Sequence, residues 1–145
     1  MKKATIILLS VLLIAGLFVS CKPEPEVPAE LTFTEILAMA DGGFPTSESN
    51  AWKRDSNTIC YLGEYLDTNC LLFFEGGEQK YAINVDSHQA TYQNGNYVYE
   101  ETSTFMSSTS TTTFVFTISE GKLVKISFAS TGFTANGDYT APIPE

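Results

Sequence analysis

The sequence predicts a mainly β fold, an antiparallel meander of seven to nine short strands with one short N-terminal helix. Short segments with alternating apolar side chains fill most of the chain after residue 57, and turn signals such as Gly-Gly and Asn-Gly recur about every ten residues. Only one segment shows a helical apolar period. The meander closes as a small barrel or folds as a sandwich. An α+β arrangement, an open antiparallel sheet with the helix on one face, is the alternative.

The predicted helix begins at a capping box. Thr32 and Glu35 have the spacing at which each side chain accepts a hydrogen bond from the other residue's backbone N–H. One apolar face then follows at helical spacing, formed by Phe33, Ile36, Leu37 and Ala40. Asp41-Gly42-Gly43 ends the pattern, so the helix is short and amphipathic.

The strands are predicted from alternation between turn signals. Their ranges are Thr58–Glu64, Cys70–Glu75, Lys80–Val85, Ala90–Gln93, Asn96–Thr102, Thr112–Ile118, Lys122–Ala129 and a final pair at Phe133 and Tyr139. Ten of the twelve residues from Thr102 to Thr113 are Ser or Thr, and this stretch is predicted as a long flexible loop with Phe105-Met106 dipping into the barrel mouth.

Two hairpins carry register predictions. A two-residue turn at Gly76-Gly77 pairs Phe74 with Gln79 and Leu72 with Tyr81. The predicted core face is then Cys70, Leu72, Phe74, Tyr81, Ile83 and Val85. For the later hairpin, a three-residue loop at Ser119-Glu120-Gly121 pairs Phe116 with Val124 and Phe114 with Ile126. A two-residue turn is disfavoured there because it pairs Phe116 with Lys125 and mixes the two faces.

The first 21 residues have the layout of an export signal. Lys2 and Lys3 precede an uncharged apolar run, Ala4 to Val19, which is too short for a permanent membrane-spanning helix. Phe18-Val19-Ser20-Cys21 resembles the lipobox of bacterial lipoproteins, although Phe18 stands where leucine is usual. The resemblance implies signal cleavage before Cys21 and diacylglyceryl attachment to its thiol.

A tether is predicted to follow the lipidated cysteine. Residues 21–31 are rich in proline and glutamate, a composition that favours extended and solvated chain. The predicted organisation is therefore a signal peptide at 1–20, a tether at 21–31 and one globular domain at 32–145. In the lipoproteins that the chain resembles, aspartate after the cysteine signals inner-membrane retention. Lys22 stands there instead, which favours anchoring in the outer membrane of the cell envelope.

The net charge and the number of cysteines limit the classes of partner and of metal site that the chain can have. Loss of Lys2 and Lys3 changes the formal net charge from −9 to −11, which argues against nucleic acid and against peripheral binding to anionic lipid head groups, since both need basic patches. With Cys21 acylated, Cys60 and Cys70 are left as an even pair in an oxidising compartment, where a disulfide is expected. Their spacing matches no zinc site, so no metal or cofactor is predicted.

No catalytic machinery is predicted. Asp86, Ser87 and the lone His88 have the residue types of a hydrolase triad. Neighbours on one turn cannot form a geometry that needs separate chain segments. A small hydrolase is therefore the least favoured interpretation, and the chain is predicted not to be an enzyme.

Tyrosines supply the candidate binding site. An Asn94-Gly95 turn places Tyr92 opposite Tyr97, with Tyr99 on the same side, and tyrosine suits amphiphilic ligands. Phe114 and Phe116 complete the predicted lining of a barrel cavity. A helix followed by such a meander resembles a lipocalin in outline, but the Gly-x-Trp signature of that family is absent, since Trp52 follows Asn50-Ala51.

The sequence therefore predicts a lipid-anchored envelope module that binds a small apolar or amphiphilic ligand or a protein partner. An envelope lipoprotein with a structural or assembly role and no small-molecule site is the alternative.

Overall fold

Two antiparallel sheets packed as an open sandwich make up the protein. The computed structural model describes residues 26–143, so the signal peptide, Cys21 and the first part of the tether lie outside the described residues. The sheets do not close into a barrel. The mainly β prediction is confirmed in its sandwich form, and the alternative of a closed barrel is not.

Ten strands and one α-helix are described. They are β1 (Glu30–Thr32), α1 (Phe33–Leu37), β2 (Trp52–Lys53), β3 (Thr58–Tyr65), β4 (Thr68–Glu75), β5 (Glu78–Asn84), β6 (Gln89–Gln93), β7 (Asn96–Phe105), β8 (Ser108–Ser119), β9 (Lys122–Ser130) and β10 (Gly137–Tyr139). The six-stranded sheet has the order β1-β6-β7-β8-β9-β10, and the four-stranded sheet has the order β2-β3-β4-β5. Within residues 26–143, no helix has the length and apolar character needed to cross a bilayer.

The predicted capping box is confirmed. The Thr32 backbone N–H donates to Glu35 Oε2 at 2.8 Å, and the Glu35 N–H donates to Thr32 Oγ1 at 3.2 Å. The helix that follows is only five residues long, and it buries Phe33, Ile36 and Leu37 against the sheets. Because so short a helix cannot stand alone in water, this buried face is what holds it.

The core lies between the two sheets, and nine of its 20 residues are aromatic. Phe73 of the four-stranded sheet stacks on Phe128 of the six-stranded sheet, with ring centroids 4.6 Å apart. Phe73 also meets Tyr139 edge-on at 5.0 Å. The largest fully buried side chains are Tyr97, Tyr139, Phe33, Phe73, Phe114, Phe116 and Phe128. Such rings fill the space between the sheets and gain from edge-to-face and offset contacts beyond their burial.

The predicted core face of the β4–β5 hairpin is wrong by one residue on β4, whereas Ile83 and Val85 lie in the core as predicted. The turn at Gly76-Gly77 forms as expected, and Phe74 does oppose Gln79. A bulge at the next pair then sets Phe73 opposite Tyr81, so Lys80 is the additional residue. Leu71 and Phe73 are therefore in the core, in place of the predicted Cys70, Leu72 and Phe74.

The β8–β9 hairpin also contains a bulge that the register prediction missed. A two-residue turn at Glu120-Gly121 joins the strands, and Ile118 opposes Leu123. The register then shifts, so that Phe116 opposes Ile126 in place of the predicted Val124. Leu123 is consequently 2% exposed and Val124 41% exposed, because the bulge turns Val124 out of the alternation.

The predicted disulfide between Cys60 and Cys70 is not formed. Both thiols are buried and free. Cys60 opposes Phe73 on the core face, whereas Cys70 opposes Gly63, three positions further along β3. Because side chains alternate along a strand, this odd offset puts the two sulfurs on opposite faces of the four-stranded sheet. No bridge is possible without moving the backbone.

Two segment boundaries also differ from the prediction. The tether was expected to run to Leu31, but Glu30 and Leu31 belong to β1, which pairs with β6. The predicted loop over Thr102–Thr113 is instead a regular hairpin, in which Thr102 opposes Thr111 and Phe105 opposes Ser108. Phe105 lies at its tip and not inside the fold, with 75% of its surface exposed.

Arg54 fastens the loop between β9 and β10 to the four-stranded sheet. Its Nη1 donates to the backbone carbonyls of Thr134 and Asn136, each at 2.8 Å. Gly137 permits this approach, because a Cβ there would lie 2.5 Å from Arg54 Cδ. A backbone bridge between Lys53 and Thr140 joins the sheets nearby.

Candidate functional site

The predicted cavity inside the sheets is filled by side chains. Tyr97 is 1% exposed, and Phe114 and Phe116 are fully buried. Phe33 of α1 packs edge-on against Phe116 at 4.8 Å and against Tyr99 at 5.3 Å. Of the residues predicted to line a ligand cavity, Tyr97, Phe114 and Phe116 therefore belong to the packed core, whereas Tyr99 is half-buried and Tyr92 is exposed.

An apolar groove does lie at one end of the sandwich. We call it the exit groove, because residues 26–28 run along it where the chain joins the fold. Its volume is about 520 Å³. Its lining consists of Val27, Pro28, Leu31, Met39, Tyr92, Tyr97 and Ile118, together with Glu26, Gly95, Glu120 and Gly121. Small-molecule sites in proteins are typically clefts of about 300–1,000 Å³ with mainly apolar walls.

The β6–β7 hairpin places two tyrosines in the exit groove. Tyr92 opposes Tyr97 across the strands, as predicted from the Asn94-Gly95 turn, and their rings lie 5.2 Å apart at 60°. Asn94 and Gly95 both have positive φ, which is the backbone that a two-residue hairpin turn requires. Tyr97 is buried and forms the floor, whereas Tyr92 keeps 37% of its surface exposed.

The start of the described chain forms one wall of the exit groove. The Tyr97 hydroxyl donates to the Pro28 carbonyl at 3.0 Å, and the Tyr92 backbone N–H donates to the Ala29 carbonyl at 2.7 Å. Leu31, in β1, opposes Ala90 of β6. The tyrosine pair thus fixes the point at which the predicted tether meets the domain.

The exit groove combines an apolar floor with negative charge. Glu26 and Glu120 are both exposed lining residues, and no basic side chain lines the groove. Burial raises the pKa of Tyr97, so its hydroxyl stays protonated and remains a hydrogen-bond donor at neutral pH. The arrangement can hold an alkyl chain, and it repels an anionic head group.

Sequence reasoning located part of this site. Tyr92 and Tyr97 line the exit groove, but Tyr99, Phe114 and Phe116 do not. Tyr99 packs on Phe33 and donates its hydroxyl to Glu101 Oε2 at 2.7 Å. Leu31 and Met39 were missed, because Leu31 lay in the predicted tether and Met39 lay off the predicted apolar face of the helix. An apolar side chain shortly before the capping box was the available signal for Leu31.

His88 and its neighbours are held by structural contacts. Asp86 accepts from the Thr34 hydroxyl at 2.5 Å and from Asn69 Nδ2 at 3.4 Å. His88 Nδ1 lies 2.7 Å from the Asn84 carbonyl and 3.2 Å from Ser87 Oγ. Asp86 thus turns toward α1 and β4, which is not the orientation of a catalytic triad. Across residues 26–143, no three His, Cys, Asp or Glu side chains gather as a metal site.

The chain matches no protein-family model, and no curated protein or solved structure is significantly similar to it.

Proposed function

We propose that the protein is a lipid-anchored module of the bacterial cell envelope, and that its exit groove binds a small amphiphilic ligand. The observation that carries the proposal is the apolar groove of about 520 Å³ beside Tyr92 and Tyr97. The groove lies where the predicted tether meets the domain, so acylation of Cys21 would hold it on the side facing the membrane.

The N-terminal sequence supports the envelope location. Lys2, Lys3 and the apolar run before Ser20-Cys21 have the order of a lipoprotein signal. Lys22 in place of aspartate favours the outer membrane over the inner one. The proline- and glutamate-rich residues that follow would keep the domain close to the bilayer without embedding it.

The charges of the exit groove narrow the ligand class. Glu26 and Glu120 disfavour a free fatty acid or another anionic head group, because their exposed carboxylates would lie beside a like charge. A neutral or zwitterionic amphiphile with one alkyl chain fits both the apolar floor and the carboxylates.

Titration with a short-chain lysophosphatidylcholine, kept below its micelle concentration, tests the groove. We expect saturable binding, followed by the intrinsic fluorescence of the tyrosines or by calorimetry. Tyr92→Ala should weaken binding at least about fivefold, which corresponds to roughly 1 kcal/mol of lost contact.

Tyr65→Ala is the matched control. Tyr65 is 44% exposed and lies in β3, outside the exit groove. The Tyr65→Ala variant should bind the lysolipid with the affinity of the wild type. An equal loss of affinity in both variants, or no saturable binding by the wild type, would show that the exit groove is not the binding site.

The anchor has a separate test. Mass spectrometry of the protein extracted from native membranes should show diacylglyceryl on Cys21, and Cys21→Ala should release the chain into the soluble fraction. A membrane-bound protein with an unmodified Cys21 would refute lipidation.

A second candidate function is docking of a protein partner on the outer face of the four-stranded sheet. Alternation puts Ile59, Tyr61, Leu72 and Phe74 on the face away from the core. The rings of Tyr61 and Phe74 stack there at 5.2 Å, only 4° from parallel. Such an apolar outer face is unusual for a sheet that meets water, and it favours contact with another polypeptide.

Charge placed on that face tests the second candidate. Tyr61→Lys should abolish an interface there, detected as loss of a cross-linked complex in native membranes, while lysolipid binding is unchanged. A complex that persists in Tyr61→Lys would exclude this face as the docking surface.

A further inference from the structure

One hairpin extends beyond the sandwich as a two-stranded ribbon. β6 begins at Gln89 and β9 ends at Ser130, which opposes Thr112. Residues 101–105 of β7 therefore pair only with β8, and residues 108–110 of β8 pair only with β7. Every residue from 101 to 109 is exposed. We call residues 101–111 the ribbon.

The ribbon ends in two large apolar side chains that do not pack in the core. Phe105 is 75% exposed and Met106 is 85% exposed. The turn residues Met106 and Ser107 have φ values of 45° and 73°. Positive φ at both positions suits Asn or Gly, the residues at the Asn94-Gly95 turn, and disfavours a long side chain such as Met. Local folding therefore does not explain an apolar residue at this position.

Apart from Glu101 at its base, the ribbon carries no charge, although the molecule as a whole is acidic. Residues 102–119 contain no charged side chain, in a chain whose formal net charge is −9. Along the ribbon, the carboxylate nearest the tip is Glu101, about 14 Å from Phe105 at roughly 3.4 Å per residue. This separation exceeds the Debye length of about 8–10 Å at physiological ionic strength. The tip can thus approach an anionic surface with little repulsion from the rest of the protein.

The tip lies within reach of a membrane that holds Cys21. The chain joins the fold beside Tyr97, whose hydroxyl contacts Pro28. Phe105 is eight residues further along β7, about 27 Å away. Residues 21–27 would span about 22 Å if extended. A domain lying along the bilayer could therefore touch it with the tip while the lipid holds the other end.

We propose that the ribbon tip, Phe105 and Met106, inserts shallowly into the lipid bilayer as a second membrane contact. Two apolar side chains are too few for a protein interface, which typically buries about 800 Å² on each partner. They suffice for shallow insertion once a lipid at Cys21 makes that step intramolecular and raises its effective concentration. The surrounding Ser and Thr hydroxyls can hydrogen-bond to head groups and water. This inference rests on the lipid anchor within the proposed function.

Tryptophan placed at the tip tests the insertion. Phe105→Trp in the full lipidated chain is reconstituted into vesicles of phosphatidylethanolamine and phosphatidylglycerol containing brominated acyl chains. We expect the emission of the new tryptophan to shift to the blue and to be quenched by bromine. The native Trp52 is only 4% exposed and belongs to the core, so it supplies a constant background.

Phe133→Trp is the matched control. Phe133 is 37% exposed and lies in the loop after β9, which meets the base of the ribbon through the Thr131–Thr111 hydrogen bond and does not reach its tip. Its replacement should stay unquenched. A tip tryptophan that is quenched no more than this control overturns the proposal. A blue shift seen in native envelope membranes but not on vesicles identifies a protein partner, which also overturns it.

A second arm separates insertion from lipidation. The chain from Lys22 onward, with a histidine tag in place of residues 1–21, is held on vesicles through nickel-chelating lipid. Quenching at Phe105→Trp in this arm supports insertion even if Cys21 proves unmodified, in which case the anchor alone has failed. Absence of quenching in this arm overturns insertion, whatever the state of Cys21.

Discussion

At the scale of single residues, Phe33 connects the short helix to the six-stranded sheet. Its ring is fully buried and packs edge-on against Phe114 at 5.3 Å and Phe116 at 4.8 Å. The helical period on the sequence predicted that Phe33 faces the core. The aromatic residues that meet it come from strands more than sixty residues away, and local spacing carries no information about such partners.

Phe33→Ala should lower the free energy of unfolding by about 3–5 kcal/mol, because it opens a cavity among rings that cannot collapse into it. Phe105→Ala, at the exposed ribbon tip, should change it by less than about 0.5 kcal/mol. Urea unfolding, followed by the fluorescence of Trp52, measures the free energy of unfolding of both variants. Similar losses in the two variants would contradict the assignment of Phe33 to the core and Phe105 to the surface.

The two thiols make a second residue-scale prediction. Burial raises the pKa of the Cys60 thiol well above its ordinary value, and burial also raises that of Cys70. Neither thiol should react with iodoacetamide in the folded chain from Lys22 onward, because the thiolate is the reactive form. In urea without reductant, mass spectrometry should show two alkylated cysteines. No alkylation until reductant is added would reveal a disulfide.

At the scale of elements, two bulges decide which side chains enter the core. Turn chemistry predicted both the Gly76-Gly77 hairpin and the pairing of Tyr92 with Tyr97. It did not predict the register shift between Phe73 and Phe74 or the shift between Thr117 and Ile118. A bulge leaves the apolar pattern locally plausible in either register, because Leu71, Leu72, Phe73 and Phe74 are all apolar. Only packing against the opposite sheet selects one face.

Lysine substitutions in β9 test the bulge. Leu123→Lys should cost about 3 kcal/mol or more, because it removes a buried apolar side chain and desolvates a charge. Val124→Lys should change stability by less than about 0.5 kcal/mol, since that side chain points outward. Unfolding midpoints in urea compare them. The reverse order would support the bulge-free register.

At the scale of the whole molecule, contacts remote in sequence join the two sheets. Arg54 reaches Thr134 and Asn136, and the backbone of Lys53 pairs with that of Thr140. The sequence predicted the β class, the helix and most strands, because these depend on local period and turn residues. The sequence could not predict how the two sheets pack on each other. That packing fills the space of the predicted cavity with aromatic side chains and leaves the groove at one end of the sandwich.

Acid should destabilise the fold through paired carboxylates. A hydrogen bond from Arg54 lowers the pKa of Asp55, and hydrogen bonds from Ser127 and Lys125 lower that of Asp138. A group whose pKa is lower in the folded state stabilises fully above its ordinary value near 3.8, and that contribution is lost as the pH falls through the folded pKa. The urea concentration at which half of the protein is unfolded should therefore decrease as the pH is lowered from 5 to 2. Asp138→Asn should flatten this dependence, and an unchanged profile would contradict the pairing.

The central claim is that binding occurs at the exit groove and not between the sheets. Chemical-shift mapping of the isotope-labelled protein with short-chain lysophosphatidylcholine, below its micelle concentration, tests it most directly. We expect saturable shifts at Met39, Tyr92, Gly95 and Ile118, and none at the buried Phe73. Shifts centred on the interior aromatic residues, or no saturable shift in the groove, would contradict it.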